Sequence, residues 1–597
     1  MQKLKFDKIK DLKRLDSKFF DDFDRHNILN YYPRPYLERN SFINLNGYFD
    51  FLIERDKFKG SILNNEFKIP LEFPSKILVP FAAESFISEY HEEILENDLL
   101  WYRKLVQIKE YDTNKRYILN FEKVDQECII FIDKVKVLEH KGGYLPFSVE
   151  ISEYLKTSIF ELIVLVKDMT DKSNYTIGKQ KIERGDIWYT STSGIYDTVW
   201  IEECDKIFVQ DLNIATNIHD LTVSFDIISD IILDNYLIEI YDSNDNLITI
   251  LDSKKYYKFE EVIFWDIDNP YLYKVILKYA NDKVISYFSF RKISKVRKNK
   301  YLYAAINDKP IIINGLLDQG YYSLSGLTPL TFDEMVFDIM TIKELGFNTI
   351  RKHIKIESRR YYYECDRRGI YLIQDFVSLP MVYDTFFLKY FPFFGLNFKD
   401  KIIEKKNGVT DLMRKYFKEE LEEVVKTLKK HPSIICYTLF NEGWGQFDTY
   451  KMFDFLSLLD NSRLIDATSG WFDRKIGDFN SKHRYYLKYR VPKDKSRIIS
   501  LSEFGGLTFL DKDHTTSNNL AGYTTLNSYQ ELSKSYQKIY KEQVLKNLKK
   551  GLGVSIYTQV SDCEDEVNGI LSFDRKVLKI DKNTIIDINK SINSYLK

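Results

Sequence analysis

The sequence contains no run of about 18 apolar residues, the length that a membrane-spanning helix requires. Its N-terminal "MQKLKFDKIKDLKRLDSKFF" carries lysines but no continuous apolar core of the signal-peptide kind. These absences lead us to expect a soluble, cytoplasmic chain with no membrane partner. Cysteine is scarce: Cys128, Cys204, Cys365, Cys436 and Cys563 are far apart, odd in number, and form no Cys-x-x-Cys pair. That argues against a disulfide frame or thiolate metal site and predicts buried, reduced thiols. The eight histidines are scattered with no His-Glu-x-x-His spacing, and neither a Gly-x-Gly-x-x-Gly nor a Walker loop occurs. No metal and no cofactor are therefore expected. An excess of one charge is also missing: Lys+Arg 87 against Asp+Glu 88 leaves a net charge of -1, without the basic field that nucleic-acid binding needs.

What is present is length and pattern. A chain of 597 residues exceeds what one hydrophobic core holds, so two to four domains are expected. From about residue 40, short β-branched and aromatic runs such as "LLWYRKLVQI", "RYILNFEKV" and "FELIVLVKD" alternate with turns, the pattern of an antiparallel sandwich or jelly roll. A second β stretch with "LTVSFDII", "YLIEIYD" and "YLYKVILKYA" fits an immunoglobulin-like sandwich. From Ile311 the rhythm changes to apolar strands alternating with helical segments, eight β units in about 300 residues, the pattern of a (β/α)₈ TIM barrel. The expected division is 1–204 for the N-terminal jelly-roll β-sandwich, 205–297 for the immunoglobulin-like β-sandwich and 298–597 for the barrel.

Two carboxylates interrupt that pattern. In "SIICYTLFNEGWGQF" an apolar strand runs into Asn441-Glu442 and then breaks on Gly443 and Gly445. In "RIISLSEFGG" another runs into Glu503 and then Gly505-Gly506. Parallel barrel strands are near-continuous apolar runs whose C-terminal ends open onto the catalytic face, so both glutamates are expected on one rim, after the fourth and seventh strands. Two facing rim carboxylates are what glycosidic cleavage needs. One protonates the leaving oxygen while the other attacks the anomeric carbon, and a separation of about 5–5.5 Å gives retention.

"LFNEGWGQF" and "SEFGG" resemble the acid/base and nucleophile segments of glycoside hydrolase family 2, the β-galactosidase, β-glucuronidase and β-mannosidase family. The likeness extends over nearly the whole chain, through "KGGYLPFSVEI" and "STSGIYDTVWIE" in the jelly roll, "FWDIDNPYLYKVIL" in the second sandwich, and "INGLLDQGYY" and "YTQVSDCEDEVNGILSFDRK" in the barrel. It implies that Glu442 is the general acid/base, Glu503 the nucleophile, and Asn441 a partner of the sugar 2-hydroxyl. For Glu442 to start protonated its pKa must be raised, which a neighbouring carboxylate and partial burial would do. Further sugar contacts are implied for His353 in "IRKHIKI", Asp375 in "LIQDF", His483 and either Tyr485 or Tyr486 in "DFNSKHRYY", and Asp186 in "GDIWYTSTSG". Tyr557 and Gln559 stand where relatives place a tryptophan under the sugar, and Trp444 is expected on the aglycone side.

Glucuronidases of the family carry an Asn-x-Lys pair where this chain has Glu566-Val567-Asn568, so a uronic acid ranks below a neutral glycone. The reading is a retaining exo-β-glycosidase, foremost a β-galactosidase, whose partner is an oligosaccharide or glycoside. The alternatives are a β-glucuronide, galacturonide, mannoside or arabinopyranoside enzyme, or a non-catalytic carbohydrate-binding protein on the same fold. Homo-oligomerisation is left open.

Overall fold

The computed structural model describes residues 9–384, 386–485 and 487–596. Its first unit is a sandwich. A six-stranded sheet runs Ser75–Val79, Gly47–Glu54, Leu99–Gln107, Ile159–Lys167, Glu127–Ile132, Val135–Lys141. It faces a four-stranded sheet of Ile43–Asn44, Val199–Cys204, Arg116–Phe121 and Phe147–Glu150. Successive side chains on a strand point to opposite faces, and "LLWYRKLVQ" shows the consequence. Leu100 and Tyr102 enter the inter-sheet core with Phe49, Phe51 and Val164. Leu99 and Trp101 bury the other face beneath Ile62 and Phe67. The strands Asp211–Asn217, Thr222–Ile228 and Tyr256–Lys258 then pack on Leu247–Asp252, Leu237–Tyr241, Tyr273–Tyr279 and Asp282–Phe288, a seven-stranded immunoglobulin-like sandwich around Val223, Ile238, Val275 and Val284. Arg39 ties the two sandwiches together, reaching Glu202 of the first at 2.7 Å and Asp282 of the second at 2.9 Å.

The hairpin Ile293–Lys298/Tyr301–Ile306 leads into the barrel. Its Ala304 and Ile306 pack on Ile313, Ile435, Ile498 and Val554 inside it. The barrel strands are β1 (Ile313–Asp318), β2 (Thr349–Lys352), β3 (Tyr371–Asp375), β4 (Ile434–Thr438), β5 (Leu464–Asp466), β6 (Phe479–Arg484), β7 (Ile498–Gly505) and β8 (Leu552–Thr558). All are parallel, in the order β5-β4-β3-β2-β1-β8-β7-β6. The β5–β6 seam is closed by Asp478 rather than by a ladder: its backbone N–H donates to Ile465 O at 2.9 Å and its carboxylate accepts from Ile465 N at 2.8 Å.

Helices α1 (Phe332–Glu344), α2 (Arg359–Arg368), α3 (Asp400–Asn407), α4 (Asp411–Leu428), α5 (Thr449–Leu459), α6 (Tyr529–Ile539) and α7 (Lys582–Asn593) surround the strands. α4 buries Phe417, Leu421, Val424, Val425 and Leu428, one stripe at helical spacing, and starts where Thr410 accepts from the Met413 N–H. Among the described residues no helix follows β5 or β6, so the (β/α)₈ alternation expected from the sequence is incomplete on that side. All five cysteines are buried and outside any disulfide. No described helix is long and apolar enough to cross a membrane.

Buried carboxyls give this fold a pH dependence. Glu84, 3% exposed, accepts from the Ser193 backbone N–H at 2.9 Å and from its hydroxyl at 2.5 Å. Burial pushes it up to about 8. A raised folded-state pKa means that its stabilising contribution is complete below its unfolded value and is lost as pH rises through about 8. The Glu84→Gln variant is expected to flatten the melting-temperature profile between those limits, where each retained proton contributes a slope of about 1.4 kcal/mol per pH unit. A profile identical to that of the parent protein would remove Glu84 as the source.

Candidate active site

β4 carries the chain apolar and buried to the rim, where the backbone changes hand. Glu442 has φ +50, a strained value for a residue with a Cβ, and Gly443 follows at φ +74. A Cβ on Gly443 would sit 2.4 Å from the Phe472 ring, so only glycine fits. The turn is held to the loop after β5: Glu442 N donates to Ser469 O at 2.9 Å and Ser469 N donates to Phe440 O at 2.8 Å. Glu442 therefore lines the mouth instead of continuing the strand.

Across the mouth, Glu503 lies within β7 at a register irregularity between Leu501 and Phe504, two residues before the strand ends. It is 4% exposed. One oxygen takes the Arg351 guanidinium at 3.1 Å, and the other accepts from the Tyr485 hydroxyl, which also lies 3.1 Å from Thr558 Oγ1. Arg351, on β2, is fully enclosed. It donates to Asp375 at 3.1 and 3.2 Å, to Asn441 Oδ1 at 2.8 Å and to Ser502 O at 2.9 Å. His353 Nδ1 completes the Asp375 set at 2.8 Å. Burial pushes the Asp375 carboxyl up, but the Arg351 charge and the His353 contact outweigh it and hold the group below its ordinary value.

His483 lies between the two glutamates with no exposed side-chain surface. Nδ1 is 2.7 Å from Glu442 Oε1, while Nε2 is 3.1 Å from Ser469 Oγ and 3.4 Å from Glu503 Oε1. Burial drives this imidazole down to about 3, against the pull of Glu503, so it is neutral at ordinary pH. One donor atom each from Glu442, His483 and Glu503 lie within 4.8 Å of one another. Zinc bonds of about 2.0–2.2 Å need donors drawn closer together, and these three already contact each other, so we assign them no metal. The mouth above them is a cavity of about 810 Å³ walled by Trp188, Tyr383, Trp471, Tyr485 and Tyr523.

The family model for the TIM barrel domain of glycosyl hydrolases family 2 matches residues 295–574, and that for the family 2 sugar binding domain matches residues 88–203. The chain belongs to glycoside hydrolase family 2. A β-galactosidase of Thermoanaerobacter pseudethanolicus is 22% identical over 76% of this chain and 60% of its own length. A β-glucuronidase of Streptococcus agalactiae is 24% identical over 57% of this chain and 58% of its own. The chain thus spans about 60% of the length of these curated relatives. The structure of an uncultured Clostridium β-glucuronidase superposes with TM-score 0.72 at 17% identity, covering 94% of this chain and 99% of that one. That of Dictyoglomus thermophilum β-D-glucuronidase gives 0.71 at 18%, covering 94% and 98%. At such identities the structural likeness speaks for the fold alone.

Within this family 2 barrel, Asn441, Glu442, Glu503, His353, Asp375, His483 and Tyr485 come together at one mouth, with Asp186 on its jelly-roll side. Three expectations need correction. Tyr557 is not under the sugar: alternation along β8 turns it outward among Phe504, Tyr536 and Tyr540, fully buried, and the inward neighbour is Thr558. Asp375 and His483 are not open to sugar hydroxyls, because protein partners occupy the Asp375 carboxylate and both His483 nitrogens. Trp444 backs the mouth wall, 3% exposed, packed on Trp188 at 5.1 Å and His353 at 6.2 Å. Gln559 accepts from Gln319 at 2.7 Å and is fully buried. Tyr486 lies outside the described residues.

Sequence reading missed Arg351, Thr558 and Tyr523, whose ring stacks on Tyr485 at 3.9 Å. The first carried a signal: Arg351 is two residues before His353, so strand alternation puts the two on one face. Replacing Arg351 by Met would leave Asp375 and Glu503 buried without their cation. The expected cost is roughly 3–5 kcal/mol, read as a lower denaturation midpoint at unchanged m-value. A loss under 1 kcal/mol would show that the guanidinium is not what holds the rim together.

Proposed function

We propose that the chain is a retaining exo-β-glycosidase with Glu503 as nucleophile, Glu442 as general acid/base and a neutral glycone, a β-galactoside foremost. The observation that carries this reading is the separation of the two carboxylates. One oxygen of each lies within 4.8 Å of the other, nearer the separation of about 5–5.5 Å for double displacement than that of about 6.5–9.5 Å for an inverting enzyme. Glu442 donates its proton to the leaving oxygen as Glu503 attacks the anomeric carbon. Water then hydrolyses the glycosyl-enzyme while Glu442 takes the proton back. Asn441, its oxygen committed to Arg351, offers Nδ2 to the 2-hydroxyl, a contact that strengthens as oxocarbenium character develops.

His483 supports the first half of that cycle. A neutral imidazole has one N–H to share between its neighbours. With the hydrogen on Nε2, toward Ser469 and Glu503, Nδ1 is the acceptor that faces the Glu442 carboxyl.

The neutral glycone follows from charge. The cations near the β8 loop are already spent on acids of that loop: Lys179 on Glu566 at 3.3 Å, Arg184 on Glu564 at 2.6 Å and Asp565 at 2.7 Å, Lys579 on Asp562 at 2.7 Å. Arg351 is neutralised by Asp375 and Glu503. A sugar carboxylate at that loop would meet Glu442 and Glu503, while the cations of the loop are held by its own acids.

Two measurements test the reading. Glu503→Ala should abolish turnover of every aryl β-glycoside. Glu442→Ala should lose about 10²–10⁴-fold on poor leaving groups and far less on activated phenols, and an equal loss on both would refute the acid assignment. A panel of aryl galactoside, mannoside, glucuronide, galacturonide and arabinopyranoside should give the galactoside the highest kcat/KM. Preference for either uronide would overturn the neutral glycone, and no hydrolysis at all would favour a non-catalytic carbohydrate-binding protein.

A further inference from the structure

Alternation along β6 sends His483 into the barrel and leaves Lys482 and Arg484 on the opposite side of the strand. Both line a cavity of about 100 Å³ whose other walls include Trp471, Asp473 and Gly395. Trp471 and Arg484 also line the main mouth, so the small cavity adjoins the space above Glu442. Neither cation has a carboxylate within 4 Å among the described residues. Arg484 donates to its neighbour's backbone, His483 O at 3.2 Å. The acid that most influences Lys482 is Asp473, and that carboxylate is held by two nitrogens of Arg497, at 2.8 and 2.9 Å. Both cations are partly buried, and burial lowers the pKa of each. Elsewhere in the barrel the enclosed cations Arg351, Lys352, Arg463, Arg497, Arg575 and Lys579 all have acid partners. A partly dehydrated ammonium and guanidinium side by side repel one another, and an oxyanion relieves that repulsion.

We propose that Lys482 and Arg484 form an anion subsite on the leaving-group side of the mouth, taking a sulfate, phosphate or carboxylate carried by the aglycone. The guanidinium fork suits two oxygens of such a group, and the ammonium adds a point charge beside it. Trp471, shared by the two cavities, is the surface over which the connecting aglycone passes. The assignment rests on the reading of Glu442 as the proton donor, because that residue fixes which side of the scissile bond faces this wall.

The test uses pairs of aryl glycosides of one sugar with matched leaving-group acidity, each pair differing by a carboxylate against its methyl ester or a sulfate ester against a hydroxyl. The parent protein should favour the anionic member by about tenfold in kcat/KM, and Lys482→Gln/Arg484→Gln should erase that preference, with the loss falling on the anionic member. Equal kcat/KM within each pair would overturn the subsite while leaving the glycosidase reading intact. Titration of tryptophan fluorescence with inorganic sulfate examines the site without turnover. A saturable response that the double variant lacks supports it, and a flat response in the parent protein overturns it even if no glycoside is cleaved. The carboxylate and sulfate pairs separate a planar from a tetrahedral oxyanion.

Discussion

One buried guanidinium organises the barrel mouth. Arg351 reaches Asp375 on β3, Glu503 and the Ser502 carbonyl on β7, and Asn441 beyond β4, so three strand ends are fixed relative to β2 by one side chain. A charge with 1% side-chain exposure is tolerable only when its donors are satisfied with good geometry, and here the acids that satisfy it include the proposed nucleophile. The orientation of Glu503 is thus set on one side by Arg351 and on the other by the Tyr485 hydroxyl. For the proposed nucleophile such a lock would be preorganisation, set by the fold itself.

The second carboxylate is placed by backbone rather than by charge. Left-handed φ at Glu442 and Gly443, the close approach of Phe472 and the paired hydrogen bonds to Ser469 turn the chain out of β4 and into the cavity. His483 then spans the gap to Glu503. The jelly roll closes the same space from above. Its loop is pinned to the β8 loop through Arg184 and Lys179, which brings Asp186 and Trp188 over the mouth. Those cations serve as interdomain ties, so on the reading proposed above they are not free to meet a glycone carboxylate. Among the described residues no helix follows β5 or β6, and on the outer side of β6 Lys482 and Arg484 face the small cavity walled by Trp471, Asp473 and Gly395.

Much of this was legible before the fold was known. Strands buried on both faces must read as apolar runs, so a glutamate ending such a run is conspicuous, and Glu442 and Glu503 were found for that reason. Partnership was less legible. Asp375 and His483 were expected to face sugar because the family resemblance implied it, yet their polar atoms are engaged by Arg351, Glu442 and Ser469. Tyr557 was chosen because relatives place a tryptophan at the end of that strand, whereas its side-chain direction depends on a single step of strand register.

The sequence alone determined the three-part architecture, the rim carboxylates and Glu566-Val567-Asn568 in place of an Asn-x-Lys pair at that position, because hydrophobic periodicity and strand-end chemistry are local properties written residue by residue. Tertiary structure decided which groups touch. Arg351 and Glu503 are 152 positions apart, and a hydrogen bond between them leaves no local trace in the chain, since it exists only once eight strands close and dehydrate both partners together.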